Sequence, residues 1–361
     1  MAASSAGAAI GPALSEDSLR AALTAIAPGA SARDRCPAFP DDAMGALAGA
    51  GVLGATLPGA PAHRRPGREW GLVRRTARVD GSVGRILDGH LNAVERVVAC
   101  APDPLREREL AEVAAGRLWL GVWGADPVAG EGPPARVVDG RLIGVKTFCS
   151  GAGGVHRAIV LARGPAGLPL AAYVDLSDGV EVDRSWFRGA GMRASESHRV
   201  VFSGARVLCI LGDPGELGRE PLFSRDAIRT AALWAGVADA AAASALDEMA
   251  ARPTVGALEG LAAGRIALAR QAIDLWLDEA AHRAEQDPQR PLRVLSVQLR
   301  VAIAQAARTI LDEAARGCGS RPFARPTVLE RARRDLELFL LQHRLDPMLA
   351  RLGQDDLEGR G

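Results

Sequence analysis

The sequence predicts an α+β, mainly helical fold with three parts: an N-terminal helical domain over residues 1–112, a middle antiparallel β-barrel domain over 113–212, and a C-terminal four-helix bundle domain over 213–361. Two changes of hydrophobic period carry this prediction. Helical spacing ends near Leu110, short β-branched runs separated by turn residues follow up to Leu208, and helical spacing returns after Pro214. Short strands with no helix between them are typical of a barrel or a sandwich.

The N-terminal helices are bounded by capping residues and by breakers. Ser15, followed by two acidic residues, predicts the start of the first helix, and Pro28-Gly29 predicts its end. A second helix is expected after Pro40, where two aspartates lie near its positive end. Helical periodicity resumes from Trp70 to Cys100, beyond an exposed loop rich in Pro, Gly and Arg.

Local signals also organise the remainder of the chain. The string Val138-Asp139-Gly140-Arg141 predicts a hairpin, because Asp-Gly accepts the positive φ angles of a tight two-residue turn. Ser224 is expected to cap the first helix of the bundle. The four bundle helices are expected over residues 224–250, 257–286, 291–317 and 327–351.

Charge and cysteine content exclude several classes of function. Lys plus Arg (44) nearly balances Asp plus Glu (43), so no global field draws the protein to nucleic acid or to an anionic membrane. Five cysteines lie far apart with no CxxC pair, which indicates neither a zinc site nor a disulfide framework. No signal peptide is expected, and the most apolar predicted helix carries Asp239 and Asp247, so no membrane span is expected. A reducing, cytoplasmic location fits best.

Four strings, in this order, resemble characteristic segments of the acyl-CoA dehydrogenase family over essentially the whole chain. They are WGADPVAGEG (Trp123–Gly132), DGRLIGVKTFCSGAG (Asp139–Gly153), FRGAGMRASESHRVVFSGARV (Phe187–Val207) and CGSRPFARPTVLERARRDLELFLLQH (Cys318–His343). The resemblance implies that family's fold. The same fold is used by two-component flavin-dependent monooxygenases, which accept reduced flavin from a separate reductase.

The resemblance implies a flavin held between the barrel and the last helices. FAD is the expected cofactor, and the alternatives are FMN, reduced flavin supplied by a reductase, or no flavin. Residue by residue, the resemblance places Trp123 and Ala125 in the first flavin-binding segment. It places Phe148 against the flavin ring and the Ser150 hydroxyl close to it. Ala125 replaces a threonine of the family, so one polar contact is lost.

The segments that hold the FAD phosphates across a subunit interface in that family are altered here. Its RxxFG segment is shortened around Arg252, and its QxxGG segment has become Ala315-Arg316-Gly317-Cys318-Gly319. Arg252 and Arg316 remain the candidate phosphate contacts, because a guanidinium group donates two hydrogen bonds at once. Since the family assembles through its C-terminal helices, the resemblance implies a homodimer or homotetramer, or a hetero-oligomer with a paralogue.

The catalytic carboxylate of that family is missing. Dehydrogenation of an acyl thioester needs a base that removes the α-proton, and in most of the family this base lies nine residues after the Arg of the pair Arg334-Asp335. His343 stands there, and Arg229 stands at the position that a variant group uses. His343 is the catalytic candidate, as a base or as a hydrogen-bond donor. The alternative is a helix-end histidine with no chemical role.

Three further residues are candidates for the wall of a substrate pocket: His90, Glu131 and Arg229. Glu131 replaces a serine that lies near flavin or acyl-CoA in the family. His90 and His198 are lone histidines, and such residues are more often structural groups than pocket residues.

The resemblance implies three alternative functions. The first is a flavin-dependent, acyl-CoA dehydrogenase-like oxidoreductase acting on a small-molecule substrate such as an acyl thioester, in specialised metabolism. The second is a two-component flavin-dependent monooxygenase that uses reduced flavin and oxygen. The third is a non-catalytic subunit of the same fold that pairs with an active paralogue.

Overall fold

The computed structural model describes residues 13–164 and 167–359, and its first part is helical. The N-terminal helices are α1 (Glu16–Ile26), α2 (Ala30–Arg35), α3 (Asp41–Gly49), α4 (Pro66–Val79), α5 (Gly81–Cys100) and α6 (Asp103–Ala114). Ser15 caps α1 as predicted, because its side chain accepts a hydrogen bond from the Ser18 amide. The Asp80 carboxylate caps α5 in the same way, accepting from the amides of Ser82 and Val83.

The middle of the chain is a closed sheet. Its strands are β1 (Leu120–Trp123), β2 (Arg136–Val138), β3 (Arg141–Cys149), β4 (Arg157–Arg163), β5 (Pro169–Asp175), β6 (Val180–Asp183) and β7 (His198–Ile210). The order β4-β2-β3-β7-β5 closes when β5 pairs with β4, while β1 extends β4 and β6 extends β7. The barrel was predicted to be antiparallel, but β1 and β2 both pair with β4 in parallel.

The predicted hairpin joins β2 to β3. Val138 pairs with Arg141, and the two turn residues Asp139 and Gly140 have φ angles of 50° and 72°. Positive φ at both central positions matches the twist of the flanking strands.

The last part of the chain is again helical. Its helices are α7 (Leu222–Ala250), α8 (Ala257–Gln286), α9 (Arg293–Cys318), α10 (Val328–Phe339) and α11 (Leu345–Leu357). Ser224 does not cap α7: the helix starts two residues earlier, and the Ser224 hydroxyl donates to the Glu220 carboxylate at 2.7 Å. The resulting order of helices, barrel and helices is the predicted fold class.

The fourth bundle helix predicted over residues 327–351 is two helices. The first, α10, starts next to Thr327 as predicted, and the Thr327 side chain caps it by accepting from the Glu330 amide. The break at residues 340–344 lies directly before Pro347, whose ring would clash with the carbonyl of residue 343 in a continuous helix. Because of this break, Leu341 and His343 lie on a short irregular segment against the barrel side of the molecule.

Helix α5 joins the barrel to the other helices at the site. α5 packs on β1 with one face and on α4 and α7 with the other, so it forms the seam between barrel and helices.

Of the described helices, α9 has the length and apolar composition that a membrane crossing needs, and 61% of its most apolar window is buried against the rest of the protein.

Candidate active site

A cavity of about 590 Å³ lies where α5, α7, the barrel and the segment after α10 meet. Its wall includes Arg85, Gly89, Asn92 and Arg96 of α5, Asp226 and Thr230 of α7, Ala125, Phe148 and Ser150 of the barrel, Ser195 and Ser197 before β7, and Phe339, Leu341, Gln342 and His343 at the end of α10. Predicted flavin residues and the predicted catalytic histidine therefore face one space.

The barrel wall of the cavity carries an exposed aromatic ring. Phe148 is 55% exposed although it lies within β3, between the buried residues Thr147 and Cys149, and its φ of 51° is unusual for a bulky residue. A register shift between Lys146 and Cys149 lets the backbone turn the ring outward. The Trp186 ring packs edge-on against the Phe148 ring, with 4.8 Å between the two ring centroids, and this contact fixes the orientation of Phe148. Strained backbone of this kind is concentrated at functional sites.

A row of hydroxyl groups lies beside this ring. Ser150 Oγ is 2.9 Å from Ser197 Oγ, which is 2.7 Å from Ser195 Oγ. Arg85 Nε donates to Ser150 Oγ at 3.2 Å. Trp123 stays behind the wall: it is 1% exposed and its Nε1 donates to the Ser150 carbonyl at 2.9 Å. Trp123 therefore supports the hydroxyl row and does not face the cavity.

His343 closes the opposite side of the cavity. Its ring lies 6.3 Å from the Trp234 ring and makes no hydrogen bond to any described residue. Burial lowers the pKa of the His343 imidazole to about 3, with the positive charges of Arg300 and Arg85 acting in the same direction. The imidazole is neutral near pH 7 and can donate or accept a hydrogen bond, but it is a weak proton acceptor.

The far end of the cavity is polar, and its residues were missed in the sequence. Arg85, Gly89, Asn92 and Arg96 share one face of α5, because they are spaced by three or four residues. Asn92 Oδ1 and Arg96 Nε are buried without a hydrogen-bond partner among the described residues. Polar residues at helical spacing along an otherwise buried helix were the signal that could have found them.

Comparison with solved structures identifies the architecture. The FMN-bound form of TdsC, a dibenzothiophene monooxygenase from Paenibacillus sp. A11-2, superposes with a TM-score of 0.84 at 22% identity over 95% of this chain and 97% of that chain. Butyryl-CoA dehydrogenase from Megasphaera elsdenii gives 0.82 at 18% identity over 95% and 97% of the two chains. The chain has the acyl-CoA dehydrogenase fold.

Other comparisons agree with this fold. Methanesulfinate monooxygenase MsuC from Pseudomonas fluorescens gives a TM-score of 0.82 at 20% identity over 96% of this chain and 97% of that one. By sequence, the chain is 26% identical over 179 residues to a dibenzothiophene monooxygenase of Mycolicibacterium goodii, a match that spans 42% of this chain and 41% of that relative. No protein-family model matches the chain.

Two residues predicted for the substrate pocket lie elsewhere in the acyl-CoA dehydrogenase fold. His90 is fully buried, and its two ring nitrogens bond to the Leu53 carbonyl and the Leu120 amide. Arg229 is fully buried in an ion-pair network with Glu69, Glu95 and Asp226. A rotation of 100° per residue turns Arg229 away from the cavity, and the next residue, Thr230, lines it instead.

Glu131 also lies outside the cavity wall. Its carboxylate accepts hydrogen bonds from Trp186 Nε1 at 2.7 Å and from the Val128 amide at 2.9 Å. These two bonds, the amide first, lower the pKa of the Glu131 carboxyl below its usual range. Glu131 therefore orients Trp186, which in turn positions Phe148.

Of the predicted phosphate residues, Arg252 lies in the turn between α7 and α8, and Arg316 lies in the last turn of α9; neither lines the cavity. Arg252 pairs with Glu259 and donates to the Cys318 carbonyl at 2.9 Å, and Arg316 pairs with Glu313. Both guanidinium groups reach solvent in a single chain, with 33% and 66% of their side chains exposed. Their role across a subunit interface stays a prediction.

Proposed function

We propose that the protein is a flavin-dependent oxidoreductase of the monooxygenase type, which oxygenates a small molecule with reduced flavin and oxygen. The observation that carries this proposal is the neutral His343 on the cavity wall, at the place where dehydrogenation needs a base. A base with a pKa of about 3 cannot remove an α-proton efficiently at neutral pH. We therefore propose oxygenation ahead of dehydrogenation, the function that the resemblance implied first.

The cavity residues fit a flavin. Phe148 presents an exposed ring face to a space of about 590 Å³, and the hydroxyls of Ser150 and Ser197 are available at its edge. An apolar wall with a few polar groups is the usual lining of a cofactor site. We assign Phe148, Ser150 and the Ala125 segment to flavin contact, with FMN or FAD as the cofactor. Bound reduced flavin would supply the electrons that activate oxygen.

The chain's own residues then hold and orient the reacting molecules. A neutral His343 can donate a hydrogen bond to a developing negative charge across the cavity from Ser150. Leu341 and Phe339 cover the same side with apolar surface, which limits the access of water. The Glu131 carboxylate disfavours a phosphate next to Trp186, because the two negative charges repel each other.

The relatives support this proposal. TdsC carries FMN in one structure and FMN with indole in another, and the sequence relative is also named a dibenzothiophene monooxygenase. The polar end of the cavity indicates a substrate with a hydrogen-bonding group. Such a group would bond to Asn92 and Arg96, whose unpartnered atoms are otherwise costly to bury.

Dehydrogenation is the second candidate on one observation. Of the described residues that line the cavity, Asp226 is the one with a carboxylate, and this carboxylate can approach a bound substrate. Its Oδ1 lies 3.1 Å from Arg229 Nη1, so removing a proton would first require this ion pair to loosen. Oxygenation needs no such step.

We propose that the protein forms homodimers or homotetramers in the cytoplasm. Leu258, Leu261, Leu268 and Leu275 lie three or seven residues apart on α8 and are 50–77% exposed in a single chain. An apolar stripe of this length is typical of a covered surface, and a second copy or a paralogue would cover it. All five cysteines are free, which suits a reducing compartment.

Flavin binding is tested with the purified protein and FMN or FAD, oxidised and anaerobically reduced. Phe148→Ala is expected to weaken flavin binding about tenfold, because it removes a stacking surface that contributes roughly 1–2 kcal/mol. Val138→Ala, an exposed apolar change on the hairpin, is the control and should leave the Kd unchanged. A wild-type protein that binds neither flavin in either redox state contradicts the proposal.

Oxygenation is tested with NADH, a flavin reductase, isotopically labelled oxygen and indole as the probe. His343→Ala is expected to lower kcat about 100-fold with little change in KM, while His343→Gln restores part of it because an amide also donates a hydrogen bond. His282→Ala, an exposed histidine on α8, is the control. If butyryl-CoA instead bleaches the flavin without oxygen and Asp226→Asn abolishes the bleaching, dehydrogenation is the correct function.

A further inference from the structure

A second cavity, of about 750 Å³, lies on the other side of Phe187. Three distant segments form it: the end of α2, the loop between β6 and β7, and the stretch from Phe323 to the first turns of α10. Phe187 lines both this cavity and the proposed reaction cavity, so one aromatic side chain separates them. None of the assigned flavin or catalytic residues belongs to it.

The wall of this cavity is strongly cationic. Six arginines and three carboxylates line it, an excess of three positive charges in a chain whose formal net charge is +1. Arg184 pairs with Glu196, and Arg334 pairs with Asp34 and Glu330. The carboxylates are therefore already occupied by two of the arginines.

Four lining arginines have no carboxylate partner within the described part of the chain: Arg35, Arg188, Arg193 and Arg325. The Arg35 side chain donates only to the Ser31 hydroxyl, and the Arg188 side chain donates only to the Ser185 carbonyl. The guanidinium groups of Arg193 and Arg325 make no hydrogen bond and no ion pair with a described residue. Unpaired guanidinium groups that converge from three segments are the arrangement by which proteins recognise phosphate.

His198 adds an independent sign of a missing ligand. Its side chain is 7% exposed and it lines the cavity, yet Nδ1 has no hydrogen-bond partner among the described residues. Nε2 lies 3.3 Å from Glu196 Oε1 without the geometry of a hydrogen bond. Buried ring nitrogens normally find partners, so an unpartnered one beside an arginine cluster indicates a polar ligand.

We propose that this cavity binds the phosphate ester of a small molecule, held by Arg193, Arg325 and Arg188. The phosphate would belong either to FMN or to a nucleotide-type handle on the substrate, such as the phosphates of a CoA thioester. Both sources are recognised by the same chemistry, because one guanidinium group can donate two parallel hydrogen bonds to two oxygens of a phosphate. The proposal does not depend on monooxygenation, because phosphate binding is measurable without turnover.

The test uses the full-length protein and inorganic pyrophosphate in isothermal titration calorimetry. Arg193→Gln combined with Arg325→Gln is expected to weaken the Kd at least about tenfold and to flatten its salt dependence. Arg78→Gln combined with Arg351→Gln removes the same charge from two exposed arginines outside the cavity and should leave the Kd within about twofold. The single variant Arg325→Gln, at an exposed residue, repeats the test if the double variant does not fold.

Two competition arms distinguish the source of the phosphate. Displacement of pyrophosphate by FMN but not by riboflavin assigns the site to the flavin phosphate. Displacement by adenosine 3′,5′-bisphosphate but not by adenosine assigns it to a substrate handle. The proposal is overturned if pyrophosphate does not bind the wild type at millimolar concentration, or if the double variant binds it as tightly as the wild type.

Discussion

Two histidines, His90 in the core and His343 on the cavity wall, are neutral for the same reason but differ in their hydrogen-bond partners. Burial lowers the pKa of His90 to about 4 and that of His343 to about 3. His90 Nδ1 accepts from the Leu120 amide at 3.1 Å, which leaves Nε2 to donate to the Leu53 carbonyl at 3.0 Å. His343 bonds to no described residue and faces the cavity.

Burial therefore determines the charge of each imidazole, and hydrogen-bond partners determine its role. His90 links α5 to the first strand of the barrel and to the turn after α3, so both of its nitrogens are used in folding. His343 keeps both nitrogens available because it lies on the irregular segment between α10 and α11, where Pro347 prevents a continuous helix through residue 343. A histidine with unused nitrogens on a cavity wall is the better candidate for chemistry.

The largest effect is expected when each histidine is replaced by leucine in a separate variant and the two stabilities are compared. His90→Leu should lower the free energy of unfolding by about 2–5 kcal/mol, because the buried Leu53 carbonyl and Leu120 amide lose their partner. His343→Leu should change it by less than about 1 kcal/mol, since no hydrogen bond is lost. Urea denaturation followed by circular dichroism measures both. Equal losses in the two variants would remove the distinction between them.

The pH dependence of stability sharpens the comparison. The folded pKa of His90, about 4, lies below its ordinary value of 6.5, so the unfolded chain binds a proton more readily. This contribution is present above pH 6.5 and is lost as the pH falls towards 4. Between pH 7 and pH 5 it should cost the wild type about 2 kcal/mol of unfolding free energy. In His90→Leu this part of the loss should vanish. The unfolding free energy is measured against pH for both proteins, and an identical slope between pH 7 and pH 5 would contradict the prediction.

A smaller effect than that of His90→Leu is expected at a third histidine. His156 is exposed, and its Nδ1 accepts from the Trp119 amide at 3.1 Å beside the same strand that His90 contacts. His156→Leu should cost about 1 kcal/mol, because water can replace the lost acceptor at an exposed site. Thermal unfolding of His156→Leu beside His90→Leu gives the measurement. A loss as large as that of His90→Leu would show that burial does not set the cost.

Local strings in the sequence supplied several residues of the candidate site. Ala125, Phe148, Ser150 and His343 were identified from short segments, and all four line one cavity. The α5 stripe was missed, because its polar residues belong to no recognised string. Thr230 lines the cavity and Arg229 does not, and a spacing count cannot settle which helical face meets the barrel.

The sequence by itself determined the order of helices and strands, the Asp139-Gly140 hairpin and the absence of a carboxylate at residue 343, because period, turn chemistry and residue type are local properties. Tertiary structure alone decided which imidazole was left unbonded and which helix face lined the cavity. It also brought the arginines of three distant segments around one space. These features depend on contacts between residues far apart in the chain, and no local pattern encodes such contacts.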